Sequence, residues 1–411
     1  MANAFRSIPA TAKVQPSPFK ISITEEKLAA FTQLVKLSEL GPETYECLHE
    51  DGKYGLPRKW LAAAKQEWEE SFDWRKHEAY YNSFPHFIMP VMQGDDSFSV
   101  HFVALFSDNP DALPIMFLHG WPGSFLEFLG LLALLKKRYS PETLPYHIIV
   151  PSLPGWAFSS PPPLNRDFKL EDMAEIMNGL MNNLGLSGYV VQGGDIGSYV
   201  ARVMAAAYHQ CRAVHLNYCI MAEPDGIKAK DITEAEQHGV LRAREFTKFG
   251  AAYALEHATR PGTIGLALAS SPVAYLAWVA EKFLLWSDVN PSTSEILQSV
   301  SLYFLTSTIS TSIYTYRQAT PPPDFFPLPK NSGAIAYKPK SHDWPQWFID
   351  KPMGYSWFPK ELAPMPVAWV GKTGKLEWWR RHDKGGHFAA LEKPELLLGD
   401  VEDFVKQVWK K

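Results

Sequence analysis

The chain has few of the features that mark secreted, membrane-spanning or nucleic-acid-binding proteins. Its three cysteines, Cys47, Cys211 and Cys219, are odd in number and lack metal-type spacing, so we expect reduced core residues in a cytosolic protein. No apolar run approaches the roughly 18 residues that a membrane span needs, and no signal pattern or C-terminal address is visible. A net charge of −4 without a block of like charge predicts neither nucleic-acid nor membrane binding.

The 411 residues are 46% apolar and 20% charged, which is typical of a globular protein with a large core. Apolar, β-branched or aromatic runs predict strands, and helical periodicity between them predicts an α/β fold with a mainly parallel sheet. The predicted strands are 100–106, 114–118, 146–150, 189–191, 213–218, 354–358 and 376–379. We expect an N-terminal extension (1–95), a core in two parts (96–221 and 344–411) and a helical cap between them (222–343).

Within the predicted cap, the segments 234–249, 272–286 and 292–316 have helical patterns, and a Pro-rich stretch at 321–327 predicts the cap's exit. The segment 364–372 is ambiguous, because its residue types favour a strand. Two consecutive parallel strands need a crossover, however, and this segment is the one available, so we predict a helix there.

A Gly-Gly-Asp-Ile-Gly run at 193–197 lies between a predicted strand and a predicted helix. It has the form of a nucleophile elbow, in which small residues two positions either side of the nucleophile relieve crowding. The alternative is that Asp195 only caps the following helix. An ionised carboxylate at an elbow attacks directly and would form an alkyl ester that a second step must hydrolyse.

Three other elements suit that second step. The loop after strand 114–118 predicts Trp121 as a backbone oxyanion donor, together with Ile196 after the nucleophile. His387 follows the last predicted strand, where this fold carries its base. Glu361 follows the penultimate strand and is the predicted acid. The rival acids are Asp343, Asp350, Glu377 and Asp383.

An Asp nucleophile with a His–acid pair can open an epoxide or displace a halide. Epoxide opening needs neutral acid donors such as phenols, whereas dehalogenases use indole donors and usually place a Trp after the nucleophile, where this chain has Ile196. Ile196 therefore weakens the dehalogenase interpretation. A dehalogenase on the same scaffold and a non-catalytic ligand-binding protein are the two alternatives. Periodicity does not choose among the cap tyrosines, which are Tyr253, Tyr275, Tyr303, Tyr314 and Tyr316.

The chain resembles the epoxide hydrolases of the α/β-hydrolase superfamily, in the microsomal-like branch and its soluble fungal form. The matching blocks are Phe-Asp-Trp-Arg at 72–75, Asn-Ser-Phe-Pro at 82–85, His-Gly-Trp-Pro-Gly-Ser at 119–124, Pro-Ser-Leu-Pro-Gly at 151–155, the elbow, Phe-Pro-Lys-Glu at 358–361 and Gly-Gly-His-Phe-Ala-Ala at 385–390. Seven such blocks in this order make the resemblance specific.

The resemblance implies that Tyr253 and Tyr316 donate to the epoxide oxygen, with Tyr314 as the competing assignment for the second donor. It also implies the α/β-hydrolase fold with a helical cap, and Glu361 as the acid at a position where fungal members can carry Asp. No metal or organic cofactor is expected. The expected partners are a small epoxide and water, and we expect a soluble cytoplasmic enzyme with a role in detoxification, without membrane association and as a possible homodimer.

Overall fold

The computed structural model describes residues 4–319 and 341–409. Its strands form one sheet in the order β1-β2-β3-β5-β4-β6-β7-β8-β9. The strands are β1 (Ser17–Phe19), β2 (His86–Gln93), β3 (Asp96–Leu105), β4 (Leu113–Leu118), β5 (Tyr146–Pro151), β6 (Tyr189–Gly193), β7 (Cys211–Leu216), β8 (Ile349–Trp357) and β9 (Gly374–Arg381). From β5 to β9 all neighbouring strands are parallel, so the predicted mainly parallel sheet is confirmed.

The first strands run differently from the rest of the sheet. β1, β2, β3 and β5 pair antiparallel, and sequence reasoning missed both β1 and β2. Pro90 lies within β2 and obscured its pattern, since proline is rare inside a sheet. The predicted boundary between extension and core, at residues 95 and 96, falls in the turn of the β2–β3 hairpin. The extension therefore shares the core sheet.

The helices of the extension are α1 (Glu25–Leu37), α2 (Arg58–Glu70) and α3 (Trp74–Tyr81). Those of the first core part are α4 (Leu129–Arg138), α5 (Leu170–Asn183) and α6 (Asp195–Ala207), and those of the second part are α13 (Val367–Val370), α14 (Ala389–Glu392) and α15 (Pro394–Val408). α5 packs on α6, and α4 packs on α15. Because parallel crossovers are right-handed and the chain reverses its direction across the sheet after β5, these two pairs cover opposite faces.

The cap helices are α7 (Glu234–Glu245), α8 (Ala252–Thr259), α9 (Pro261–Ala269), α10 (Pro272–Trp286), α11 (Thr293–Leu305) and α12 (Tyr316–Ala319). The prediction of one helix over 292–316 is wrong. α11 ends at Leu305, and Ser307 adopts a left-handed φ of 59°. The Thr306 hydroxyl bonds the Leu302 carbonyl, a local contact that competes with helix continuation.

Three further predictions concern the ambiguous segment 364–372, the cysteines and the Pro-rich stretch. The ambiguous segment does contain a helix, α13, which confirms the crossover argument. Cys211 and Cys219 are buried and free as predicted, whereas Cys47 is only half-buried in the 3₁₀ turn Glu46–Leu48, so its assignment to the core is wrong. The Pro-rich stretch at 321–327 lies outside the described residues.

The topology brings two loops together above the sheet. The chain crosses from β4 to β5 on one side and then returns through α5 to β6 on the other side of β4. The carboxyl ends of β4 and β6 are therefore neighbours at a switch point, where α/β sheets place their ligand crevice.

Among the described residues, no single helix is long and apolar enough to cross a membrane. The pair formed by α9 and α10 has the length and composition together, but it is bent by 115° at its break.

Candidate active site

The elbow at the end of β6 is as tight as its glycines predict. Asp195 has a φ of 44°, a left-handed value that is strained for a residue other than glycine. A Cβ at Gly193 would lie 2.3 Å from the Gly197 carbonyl oxygen, and a Cβ at Gly197 would lie 2.3 Å from the Leu118 carbonyl oxygen. Both glycines are therefore required by backbone that cannot move aside.

The Asp195 side chain does not cap its helix. Gly194 is the N-cap of α6, and no side chain bonds the first turn there. Instead, Asp195 Oδ1 accepts a 2.7 Å hydrogen bond from the Trp121 N–H, and Oδ2 lies 3.2 Å from His387 Nε2. The capping alternative is therefore wrong, and the carboxylate points away from the sheet at the positive end of α6.

His387 and Glu361 come from the loops that follow β9 and β8. The Lys360 N–H donates to the Gly385 carbonyl at 3.1 Å and joins the two loops. His387 Nδ1 lies 2.5 Å from Glu361 Oε1, and the Glu361 side chain is fully buried. Asp195, His387 and Glu361 thus form one chain of contacts, and none of the rival acids contacts His387.

The charges of Glu361 and Asp195 determine the protonation state of His387. Burial alone would lower the pKa of the imidazole, but the Glu361 charge and the hydrogen bonds to Asp195 and Glu361 outweigh it and raise the pKa to about 10. With Asp195 ionised, His387 is therefore an imidazolium at neutral pH. It donates from Nε2 to Asp195 and from Nδ1 to Glu361.

The loop after β4 carries the predicted oxyanion donors and a structural histidine. The Trp121 N–H already reaches Asp195, whereas the described residues give the Ile196 N–H no hydrogen-bond partner. His119 is buried, and its pKa is lowered by burial to about 4. Its Nε2 accepts the Leu153 N–H at 3.1 Å, which confirms its structural role.

The two tyrosines face Asp195 from the cap. The Tyr253 ring lies on the Trp121 ring, with centroids 5.4 Å apart, and contacts the Tyr316 ring at 5.6 Å. Burial and the Asp195 charge raise the pKa of both phenols, so both are neutral donors at pH 7. Among the residues that the structure describes, the Tyr316 hydroxyl makes no hydrogen bond within the distance limits, while the Tyr314 hydroxyl donates to the Pro154 carbonyl at 3.1 Å.

A cavity of about 380 Å³ lies between cap and core. Asp195, Tyr253 and Tyr316 line it, and Tyr314 does not. The remaining wall is mostly apolar and includes Ile196 and Leu255. A small apolar molecule with one polar acceptor matches this cavity in size and chemistry.

Two further residues lie beside this site, and sequence reasoning missed Glu127. The Trp286 ring packs edge-on against His387 at 5.2 Å, and its carbonyl accepts the His387 N–H at 3.0 Å. Glu127 lies near the charges of Asp195 and His387, which both influence its pKa. Its place four residues after Gly123, in the loop that carries Trp121, was a signal that could have identified it.

Comparison with known proteins agrees with this geometry. Residues 16–128 match the family described as epoxide hydrolase N terminus, and residues 114–234 match the family described as alpha/beta hydrolase fold. A relative from Dothistroma septosporum is 44% identical over 98% of this chain and 92% of its own length.

A more distant relative and a solved structure agree. Epoxide hydrolase 1 of Sus scrofa is 28% identical over 94% of this chain and 88% of its own length. The structure of Aspergillus niger epoxide hydrolase has a TM-score of 0.91 and 46% identity, and covers 99% of this chain and 100% of that one.

Fold and site together define an enzyme of the α/β-hydrolase fold, which confirms the predicted fold class. The chain belongs to the epoxide hydrolase family. It is a hydrolase whose substrates are an epoxide and water.

Proposed function

We propose that Asp195 opens the epoxide while Tyr253 and Tyr316 hydrogen-bond its oxygen. The Asp195 carboxylate attacks a ring carbon, the carbon–oxygen bond to the ring oxygen breaks, and a tyrosine proton moves to the alkoxide. An alkyl ester on Asp195 results. The arrangement of the free Tyr316 hydroxyl, Tyr253 and the carboxylate around one cavity is the observation that carries this assignment.

The ester changes the charge state of its neighbour. Once Asp195 is esterified, it loses the negative charge that helps to raise the pKa of His387, so that pKa falls. His387 can then release the proton that replaces the one given up by the tyrosines. The neutral imidazole that remains is a base, and Glu361 holds it in place through Nδ1.

In the second step, His387 Nε2 takes a proton from water as the water oxygen bonds the Asp195 carbonyl carbon. The negative oxygen that develops is held by the N–H groups of Trp121 and Ile196, and one such donor contributes about 3–4 kcal/mol in comparable sites. The tetrahedral intermediate breaks its bond to the alkyl oxygen, which takes the proton back from His387. A vicinal diol leaves, and the proton that stays on the new Asp195 carboxyl group passes to His387, which restores the carboxylate and the imidazolium of the resting site.

A single turnover in ¹⁸O-water, with enzyme in excess, tests the ester route. We expect the label in the peptide that contains Asp195 and unlabelled oxygen in the first diol, because water attacks the carboxyl carbon and not the substrate. Mass spectrometry of the digested enzyme and of the diol measures both. Label in the first diol alone would mean direct attack of water on the epoxide and would reject Asp195 as the nucleophile.

The two alternative functions, a dehalogenase and a non-catalytic binding protein, have less support from the site. The neutral phenol pair faces the nucleophile and suits an alkoxide better than a halide, and the contact chain from Asp195 to Glu361 is of no use to a mere binding protein. A cytosolic location, a homodimer, a role in detoxification and the absence of metal and organic cofactors stay predictions.

A further inference from the structure

A second, much smaller cavity lies against Asp195. It has a volume of about 20 Å³, and its wall combines apolar side chains such as Phe128 and Phe388 with the polar residues Glu127, Gln192, Asp195, Asn217 and His387. A water molecule needs roughly 10–15 Å³, so the cavity is large enough for one. Neither catalytic tyrosine borders it. A water molecule in this cavity therefore reaches Asp195 and His387 without passing through the substrate cavity.

The walls of this water-sized cavity carry polar atoms that lack partners. Gln192 is buried, and its Oε1 has no hydrogen-bond partner in the described part of the chain, while its Nε2 donates to Asn217 Oδ1 at 2.7 Å. A buried acceptor without a partner costs about 1–3 kcal/mol unless water satisfies it. The cavity thus has both the volume and the polar atoms that an internal water requires.

Glu127 occupies the outer wall of the cavity. Its carboxylate lies on the backbone of Gly123, where an added Cβ would be 1.5 Å from Glu127 Oε1. Burial raises the pKa of Glu127 to about 8, with the His387 charge opposing the shift and the Asp195 charge adding to it. Glu127 is therefore mostly a neutral acid at pH 7. It can accept and donate a hydrogen bond without adding a second negative charge beside Asp195.

Glu127 also borders a third cavity on its other side. That outer cavity has a volume of about 210 Å³ and lies between the extension, the core and the cap. Of the residues that line the small cavity, only Gly123 and Glu127 also line the outer one. The Glu127 side chain accordingly stands between a larger reservoir and the water-sized space beside His387.

We propose that Glu127 is a positioning residue that holds the hydrolytic water beside His387 and the Asp195 ester, and that this water enters from the outer cavity. The inference rests on the proposed two-step mechanism. Glu127 accepts one hydrogen of the water while the other goes to His387 Nε2. The water oxygen then bonds the ester carbonyl carbon as described above. Water can reach the ester in this way while the alkyl group still fills the substrate cavity.

The Glu127→Leu variant tests this role, because it removes both oxygens that can accept a hydrogen of the water, whereas Glu127→Gln keeps an acceptor and removes only the titration. In Glu127→Leu we expect the rate of ester formation to stay within about twofold and ester hydrolysis to fall at least about tenfold, which corresponds to the loss of one well-placed hydrogen bond. The ester should then accumulate, and KM should fall together with kcat. Rapid acid quench followed by mass spectrometry of the Asp195 peptide measures both steps. Glu26→Leu, the same change on an exposed face of α1, is the control.

A pH profile separates this role from a structural one. The titratable groups that line the two cavities with Glu127 are His119, Asp195 and His387 in the small one and Glu295, Tyr80 and Tyr81 in the outer one. Burial lowers the pKa of His119 to about 4, so it does not titrate near pH 8. In the wild type, ester hydrolysis should change across the pH range near 8 where Glu127 ionises, and Glu127→Gln should lack that change. Glu127→Asp, which keeps the acid, should restore it in part.

Three results would overturn the proposal. They are unchanged ester hydrolysis in Glu127→Leu, an equal fall of both steps in that variant, and a pH profile of Glu127→Gln identical to that of the wild type. The proposed function fails separately, because that failure would show as no ester in the wild type. A lowered melting temperature with normal hydrolysis of the ester that forms would also reject the positioning role.

Discussion

In the proposed mechanism, His387 changes its role during the reaction because its charge depends on one neighbour, Asp195. In the resting site it is an imidazolium between two carboxylates, with a pKa raised to about 10. An imidazolium is no base, so water activation has to wait until Asp195 has lost its charge in the ester. This order protects the enzyme from activating water before a substrate is bound.

Single Phe substitutions test the tyrosine pair. Tyr253→Phe and Tyr316→Phe should each slow ester formation by about 10²-fold, since each removes one hydrogen-bond donor to the developing alkoxide. The double variant should form no detectable ester. Stopped-flow or quenched single turnovers measure the rate of this step.

Tyr314→Phe is the matched control for this pair. The Tyr314 hydroxyl donates to the Pro154 carbonyl and faces away from the substrate cavity. Its loss should lower stability by about 1 kcal/mol and leave ester formation unchanged. A slow Tyr314→Phe with a normal Tyr316→Phe would reverse the assignment.

The strand-to-helix elbow concentrates the local strain of the site. Asp195 holds a left-handed φ of 44°, and such a conformation costs roughly 1–3 kcal/mol in a residue other than glycine. The close packing of β4 against the elbow holds it there, since the carbonyls of Leu118 and His119 approach Gly197 directly. The same packing keeps the Trp121 N–H on the Asp195 carboxylate.

Gly197→Ala should therefore displace the elbow. The added Cβ would meet the Leu118 and His119 carbonyl oxygens at 2.3 and 2.6 Å, and both are backbone atoms. We expect a loss of at least about 3 kcal/mol in the free energy of unfolding, or a folded protein that forms no ester. Urea unfolding measures the loss of stability, and ester trapping shows whether the folded variant still forms the ester.

Gly399→Ala supplies the comparison for the elbow variant. Gly399 lies inside α15, and nothing lies within 4 Å of its added Cβ. The same substitution should there stabilise the protein by about 0.5–1 kcal/mol, because alanine is the better helix former. Full stability and activity in Gly197→Ala would show that the elbow tolerates a side chain.

The N-terminal extension joins the two other parts of the molecule. Its strand β2 pairs along its whole length with β3 of the core. On the other side, the Phe31 ring contacts Trp68 at 5.4 Å and Phe304 of cap helix α11 at 5.5 Å. The Trp68 Nε1–H also donates to the Ser301 hydroxyl of that helix at 3.1 Å. Core, cap and extension therefore share continuous packing.

This continuity predicts a single unfolding transition. Phe31→Ala should cost about 3–5 kcal/mol and lower the melting temperature of the whole protein, since the buried ring contacts both extension and cap. Leu37→Ala, at an end of the same helix where the side chain is 73% exposed, should have little effect. Differential scanning calorimetry checks both variants. Separate melting of the cap in Phe31→Ala would contradict the shared packing.

The local features of this fold could be predicted from the chain because each depends on near neighbours. The elbow follows from glycines two positions either side of Asp195, the strands follow from their apolar runs, and α13 follows from the need for a crossover. The predictions from sequence failed where the local residue pattern did not match the element that forms in the folded chain. Pro90 obscured β2, and the break after Leu305 interrupted a helical pattern that looked continuous.

The contacts between distant segments depended on folding. Glu361 and His387 could be assigned to the correct loops from their order in the chain, but their 2.5 Å contact requires β8 and β9 to lie side by side. Tyr316 is distinguished from Tyr314 by which hydroxyl lacks a partner in the folded cap. Glu127 was not identified at all, because its raised pKa and its two cavities exist only once extension, core and cap exclude water around it.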